Sequence, residues 1–265
     1  MPHLHFMMDA YGVAEEHNNN VMAVYELLNS VAENLALQPV MPPFLVPYYY
    51  CEDAEDGGIS AFIICKGGHV TIHTFPYRSC YFVDILTDEF FSASEAEGIF
   101  KRQLYAERVQ SELIDRRAIY LSEDEDTVDT RRDFGPHYMI EVSDVDMTME
   151  SVYRWLDVVA PRINMLPISR PYVITDTVEE PSFISGILVV AQSHIAVHYD
   201  INERKALIDI FSCAFLEDDC IKSILAESFG ENVRWRLCSR GSKHNDQYKR
   251  KEIRTAVSKS WRNNI

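Results

Sequence analysis

The feature that most constrains this chain is that it carries one pattern twice. Ile59-Ser60-Ala61-Phe62-Ile63-Ile64, Gly68-His69-Val70-Thr71-Ile72-His73 and Phe82-Val83-Asp84-Ile85-Leu86-Thr87-Asp88 form the first copy. Ile184-Ser185-Gly186-Ile187-Leu188-Val189, Ser193-His194-Ile195-Ala196-Val197-His198 and Leu207-Ile208-Asp209-Ile210-Phe211-Ser212-Cys213 form the second. The offset is 125 throughout, from Ser60 and Ser185 to Asp88 and Cys213. Such constancy is hard to obtain by chance, and every later motif has to be read against it.

The repetition extends on both sides of this block. His5-Phe6-Met7-Met8-Asp9 is echoed by His137-Tyr138-Met139-Ile140-Glu141, each an apolar run ending in a carboxylate. A helical pattern follows in each copy, through Val21, Val24, Leu28, Val31 and Leu35, and through Val152, Leu156 and Val159. A second helix and a last strand are expected at Phe90 to Arg116 with Ala118 to Leu121, and at Glu217 to Phe229 with Val233 to Cys238. The boundaries read as a first repeat over 1–121, an acidic linker over 122–136, a second repeat over 137–239 and a basic tail over 240–265, with Arg240 as its first cation. Strands with helices packed on one face make an α+β unit, and two such units stack sheet on sheet with helices outside. The strands are apolar on both faces, as that sandwich requires.

Composition narrows the function classes. With 47% hydrophobic residues the chain can bury a real core, and a net charge of −16 disfavours nucleic acid while suiting a small cationic ligand. Six scattered cysteines suggest neither a disulfide framework nor a zinc knuckle. No apolar run approaches the length of a membrane span, the start MPHLHFMMDAYG has no basic n-region or cleavage site, and a cytoplasmic location is expected. The repeated His-x-x-x-His, His69/His73 and His194/His198, would place two imidazoles on one face of a helix. On a strand they stand roughly 13 Å apart, so no shared metal is expected within either pair.

The paired blocks resemble the prokaryotic S-adenosylmethionine decarboxylases. In that family the motif reads approximately S-G-x(6)-E-S-H-[IL]-x-I-H-T-x-P-E, then a strand ending D-x-F-T-C-G, after an amino-terminal H-[LF]-x-x-D-x-Y-G. His5-Phe6-Met7-Met8-Asp9-Ala10-Tyr11-Gly12 matches the last of these. The resemblance implies a four-layer αββα sandwich in which two copies build each active site, here a fused pseudodimer that leaves room for further oligomerisation. It implies Ser193 as the self-cleaving serine and Cys213 as the catalytic acid, with Ser60 and His73 contributed from the other half. It also implies cleavage between Gln192 and Ser193 by attack of Ser193 Oγ on the preceding carbonyl, leaving a pyruvoyl cofactor on residue 193. The reciprocal site has Ser185 and His198 but Gly68 and Asp88 in place of serine and cysteine, and a glycine has no oxygen with which to attack.

Three positions depart from the family pattern. The glutamate that binds the ribose hydroxyls is Tyr77, with Asn202 at the matching second-half position; the glutamate before the cleaved serine is Gln192. The adenine-stacking aromatic falls at Ala54, inside the acidic run Glu52-Asp53-Ala54-Glu55-Asp56, although Tyr48, Tyr49 or Tyr50 could take that part. A lip of carboxylates suits a guanidinium or ammonium side chain. Three functions therefore stand: decarboxylation of S-adenosylmethionine in polyamine synthesis, decarboxylation of arginine or ornithine on the same fold, and a non-catalytic relative that regulates an active partner.

Overall fold

The computed structural model describes residues 3–51, 53–119, 128–129, 133–191 and 193–242. The first half runs β1 (Leu4–Tyr11), α1 (Glu15–Asn18), α2 (Val21–Asn34), β2 (Phe44–Tyr48), β3 (Gly58–Cys65), β4 (Gly68–Phe75), β5 (Cys80–Thr87), α3 (Ala93–Gln103), β6 (Arg108–Asp115) and α4 (Arg116–Ile119). The second runs β7 (Gly135–Val142), α5 (Met149–Arg162), β8 (Tyr172–Thr175), β9 (Phe183–Val190), β10 (Ser193–Asp200), β11 (Lys205–Phe211), α6 (Asp218–Phe229) and β12 (Val233–Arg240). Each half forms one six-stranded antiparallel sheet, ordered β2-β3-β4-β5-β1-β6 and β8-β9-β10-β11-β7-β12. Strand for strand the two orders are the same, so the sequence repeat is a structural repeat.

The period of two along each strand sorts side chains into layers. On the outer face of the first sheet Phe6, Met8, Ile59, Ile63, Val70, Ile72, Val83 and Ile85 pack with Val24, Leu27, Leu28 and Val31 of α2 and with Ala96, Ile99 and Phe100 of α3. In the second half Ile140, Leu188, Ile195, Val197, Ile208 and Ile210 do the same with Val152, Leu156 and Val159 of α5 and Ile221, Ile224 and Leu225 of α6. The helices begin where capping residues stop the preceding loop. Asn20 accepts from Ala23 N, Ser92 from Glu95 N, and Thr148 and Ser151 form a reciprocal box. Helix, sheet, sheet, helix is the resulting order of layers.

The layer between the sheets differs from the expectation of apolar faces on both sides. Its flanks are apolar, with Phe62, Ile64, Ile187 and Val189 at one end and Phe75, Phe82, Phe134 and Phe211 at the other. Its middle holds His5, His69, His73, His137, His194, His198, Asp84, Asp209, Arg116 and Arg240, all buried.

Several boundaries also move. The stretch expected as one helix from Phe90 to Arg116 breaks after Gln103. Arg108–Asp115 instead alternates exposed and half-buried positions and pairs with β1, with Val109 and Leu113 turned onto the outer core. Ala118, expected in a strand, lies in α4. Strand β7 starts at Gly135, inside the expected linker, and the short edge strands β2 and β8 carry no strong sequence pattern. Arg240 closes β12 with 3% exposure and belongs to the fold, not to a tail. Most of the acidic linker and residues 243–265 of the tail lie outside the described residues.

Gly68 opens β4, where an added Cβ would lie 1.9 Å from the carbonyl oxygen of Leu86 on β5. A side chain there requires the paired backbone to move. Gly68→Ser is expected to lower the urea midpoint by an amount worth about 1–3 kcal/mol. An unchanged midpoint would show that the strand end yields freely.

Candidate active site

Strands β4 and β10 face each other across the polar layer and run in opposed directions. His73 Nε2 lies 2.8 Å from His194 Nδ1, and His69 Nδ1 lies 2.7 Å from His198 Nε2. The rings in the two pairs are within 11° and 20° of coplanar. The start of β10, where Ser193 stands, is therefore stacked on the end of β4. Each histidine of the two His-x-x-x-His runs finds its partner in the other half.

Ser193 is 1% exposed. Its Oγ accepts from the Cys213 backbone N–H at 2.9 Å and donates toward the Cys213 thiol at 3.4 Å. Cys213 follows β11 and packs against the aromatic layer of Tyr11, Phe75, Phe82, Phe134 and Phe211. From the other half, Ser60 Oγ lies 2.9 Å from His73 Nδ1, across the β3–β4 register that pairs these two residues. The structure thus joins Ser193 to Cys213 directly and Ser60 to His73 directly, and His73 in turn contacts His194, the chain neighbour of Ser193. Gln192 lies outside the described residues. In the reciprocal position Ser185 Oγ is 2.9 Å from His198 Nδ1, but Gly68 presents no hydroxyl and Asp88 is exposed.

Beneath these pairs lies a closed ring of charge that sequence reasoning missed. Arg116 Nη1 donates to Asp209 at 2.6 Å and to His5 Nδ1 at 3.1 Å, and His5 Nε2 reaches Asp84 at 3.3 Å. Arg240 Nη1 donates to Asp84 at 2.6 Å and lies 3.2 Å from His137 Nδ1, whose Nε2 faces Asp209 at 3.4 Å. Each guanidinium fixes the tautomer of one histidine, and that histidine points its remaining nitrogen at the aspartate paired with the other arginine. His5, Asp84 and His137 present atoms within 4.8 Å of one another, a spacing that could hold a metal ion. The Arg240 guanidinium already supplies the cation there. The signal that could have found the ring is the repeat itself, since Asp84 and Asp209 interrupt otherwise apolar strands at the same register.

Burial and charge then set the protonation states. Burial raises the Asp84 and Asp209 carboxyls, but Arg240 and Arg116 respectively, aided by His5 and His137, hold both well below the usual range. Burial also drives the histidines toward their neutral forms, lowering His194 to about 4 and His198 to about 3, and lowering His69 and His73 well below the ordinary value. Histidine-to-histidine contact adds to the depression at His69 and His73. At neutral pH His69, His73, His194 and His198 are therefore uncharged imidazoles beside compensated ion pairs.

The remaining expected residues gather at the same end of the layer. Tyr77 is 44% exposed on the turn Pro76–Arg78, and Arg78 sits over the Phe134 ring at 6.0 Å. Asp53, Glu55 and Asp56 all turn onto Arg78, with Asp56 at 2.5 Å and Asp53 at 3.0 Å, while Glu52 lies outside the described residues. The acidic lip already has a guanidinium of its own, supplied 22 residues beyond Asp56. Tyr49 donates to Asn19, and Tyr50 is 89% exposed beside it.

Together these features define a duplicated α+β sandwich whose polar layer is built from both halves, with Ser193 and Cys213 in contact in the second. A family model described as S-adenosylmethionine decarboxylase matches residues 4–117 and again 136–241, and the chain belongs to that family in a tandem, duplicated form. A search of curated proteins finds no match. Among solved structures, the adenosylmethionine decarboxylase of Aquifex aeolicus VF5 aligns at 21% identity over 48% of this chain and 98% of its own, with a TM-score of 0.38. A protein of Galdieria sulphuraria titled as unknown aligns at 8% identity over 91% of this chain and 100% of its own, with a TM-score of 0.22. Among the described residues no helix is long and apolar enough to cross a membrane.

The buried neutral histidines tie stability to pH. A histidine whose folded pKa lies below its unfolded value near 6.5 binds its proton more readily when unfolded. Its contribution is complete above about pH 6.5 and is lost as pH falls toward the folded value, at about 1.4 kcal/mol per pH unit for each such group. His194 and His198 set a window from about 6.5 down to about 4 and below. Urea unfolding of Ser193→Ala at a series of pH values should therefore show stability falling on acidification across this window, more steeply than one histidine allows. A flat profile between 6.5 and 4.5 would refute the neutral layer.

Proposed function

We propose that this chain is a self-processing, pyruvoyl-dependent decarboxylase of S-adenosylmethionine, acting in polyamine synthesis in the cytoplasm, with the fused pseudodimer as its working unit. The observation that carries the reading is the buried Ser193 hydroxyl, held on the Cys213 N–H and thiol, on a strand stacked against the Ser60–His73 pair of the other half. A group made from residue 193 itself requires a hydroxyl at that residue and a proton source beside it, and both are present. Ser193 Oγ attacks the Gln192 carbonyl carbon and the peptide C–N bond breaks, giving an ester. Loss of the α-proton of residue 193 then expels the Gln192 carboxylate, and hydrolysis releases ammonia to leave the ketone.

A pyruvoyl group at residue 193 would supply an electron sink for decarboxylation of a bound amine substrate. His73, neutral and bonded through Nδ1 to Ser60, is suited to take or give a proton during processing. The Cys213 thiol is placed to protonate the substrate α-carbon. The chain's acidity favours approach of a sulfonium cation.

Arginine or ornithine would need the acidic lip for its distal cation. Asp53, Glu55 and Asp56 already pair with Arg78, which weakens the acidic run as a reason for a basic amino acid and leaves Tyr77 as the other. Tyr77, in place of the ribose-binding carboxylate, still distinguishes the site from the family pattern.

Purified protein should separate into fragments 1–192 and 193–265 by intact mass, and Ser193→Ala should stay whole. Wild type offered S-adenosylmethionine, arginine and ornithine in parallel should release carbon dioxide from the first alone, and Ser193→Ala from none. A whole chain after long incubation, with no carbon dioxide from any of the three, would leave a regulatory, non-catalytic relative as the reading. Release from arginine or ornithine alone would replace the substrate.

A further inference from the structure

His194 follows Ser193 directly, yet its side chain points to the opposite face of β10 and touches neither Ser193 nor Cys213 in any described hydrogen bond. Its partner is His73, and the contact is in line, with ring planes 11° apart and 2.8 Å between nitrogens. Both nitrogens of His73 are thereby engaged, Nδ1 with Ser60 and Nε2 with His194. A neutral imidazole carries one N–H, so donor and acceptor must alternate along this chain. If His73 donates from Nε2 to His194, its Nδ1 is bare and accepts from the Ser60 hydroxyl. If it accepts at Nε2, its Nδ1 donates to Ser60 and the hydroxyl proton is free to point elsewhere. Whether His73 Nδ1 faces Ser60 with a lone pair or a proton is therefore coupled to the tautomer of His194.

We propose that His194 is a positioning residue, which fixes the tautomer and ring orientation of His73 toward Ser60 and through them the rate of cleavage at Ser193. The inference rests on the self-processing reading above. His194 is fully buried, and its own Nε2 has no hydrogen-bond partner in the structure. A leucine would fill such a space without an orphaned nitrogen, so packing alone does not account for an imidazole there. With His194 gone, His73 Nε2 would be the orphan, and its ring would keep only the Ser60 contact at Nδ1 and the Phe211 ring at 5.9 Å among the contacts described.

The repeat supplies an internal control. His69 makes the matching in-line contact with His198, which is bonded to Ser185, at the position where Gly68 replaces the nucleophile. His69 is equally buried and its Nε2 is equally unpartnered. A role in packing predicts equal effects at the two sites, whereas a positioning role predicts an effect at His194 alone.

The experiment follows cleavage of freshly made wild type, His194→Leu, His194→Asn and His69→Leu by intact mass, with thermal midpoints measured alongside. His194→Leu should cleave at least about tenfold more slowly. His194→Asn, whose side-chain amide reaches the Nδ1 position, should recover part of the loss, and His69→Leu should cleave within about twofold of wild type at a similar midpoint. Cleavage of His194→Leu at the wild-type rate, or equal slowing by His69→Leu, would overturn the proposal while leaving self-processing intact. Failure of wild type itself to cleave would overturn the self-processing reading. A second measurement does not depend on cleavage or on the leucine variant folding. In Ser193→Ala, the ¹⁵N imidazole signals of His73 should report one tautomer, and in Ser193→Ala with His194→Asn the balance should shift or the signals should average. Identical signals in the two proteins would overturn the positioning role.

Discussion

The structure hangs on a six-membered ring of side chains in which two arginines cross between the halves. Arg116 leaves the end of the first sheet to pair with Asp209 of the second, and Arg240 leaves the end of the second to pair with Asp84 and Asp9 of the first. His5 and His137 close the circuit, and the backbone carbonyls of Ile140 and Val83 accept from Nη2 of Arg116 and of Arg240. Buried ion pairs are weak arguments for net stability, because desolvation offsets much of the attraction; removing one partner nonetheless costs about 3–5 kcal/mol, since it strands a charge. What such a ring supplies is registration. Apolar sheets can slide over one another at little cost, but a sheet carrying half of each ion pair can dock in one way.

Registration is what the chemistry needs. The His73–His194 contact exists because β4 and β10 cross at a fixed offset, and the same crossing brings the first half's Ser60 to the end of the layer where Ser193 and Cys213 stand. The frame is symmetric down to its hydrogen bonds, with Ser60–His73–His194 mirrored by Ser185–His198–His69. The asymmetry lies at two positions. Gly68 stands against Ser193 and Asp88 against Cys213, the difference on which the proposed single centre rests, and neither residue belongs to the ring that aligns the sheets.

Much of this was legible in the sequence because repetition and spacing are local properties. A constant offset of 125 pairs Ser60 with Ser185 and Gly68 with Ser193 without any knowledge of the fold, and β-branched alternation marks β3, β4, β5 and their counterparts. The polar middle was not legible. The strands carry so many apolar residues that one histidine or aspartate every second or fourth position reads as an exception, and only the stacking shows that these exceptions share one layer. Arg240 looked like the first cation of a basic tail because its partners, Asp9 and Asp84, lie more than 150 residues earlier. The acidic run near Asp53 looked available to a ligand for a similar reason, Arg78 being far in sequence and near in space. The edge strands β2 and β8 escaped because half-buried strands of four or five residues leave too little periodicity to detect.

The glycine at the head of β4 has a consequence for the history of such a chain. With only the hydroxyl missing, one substitution could bring the silent half back, and the two halves could exchange roles. At Gly68, however, the backbone has closed over the space that a side chain would need, against the Leu86 carbonyl. Restoring a nucleophile there takes concerted movement of two strands as well as a new residue. If Ser193 is the nucleophile, the duplication would act as a ratchet: with the first half settled around glycine, the way back is closed by its own backbone, and selection on the nucleophile could act only on the second.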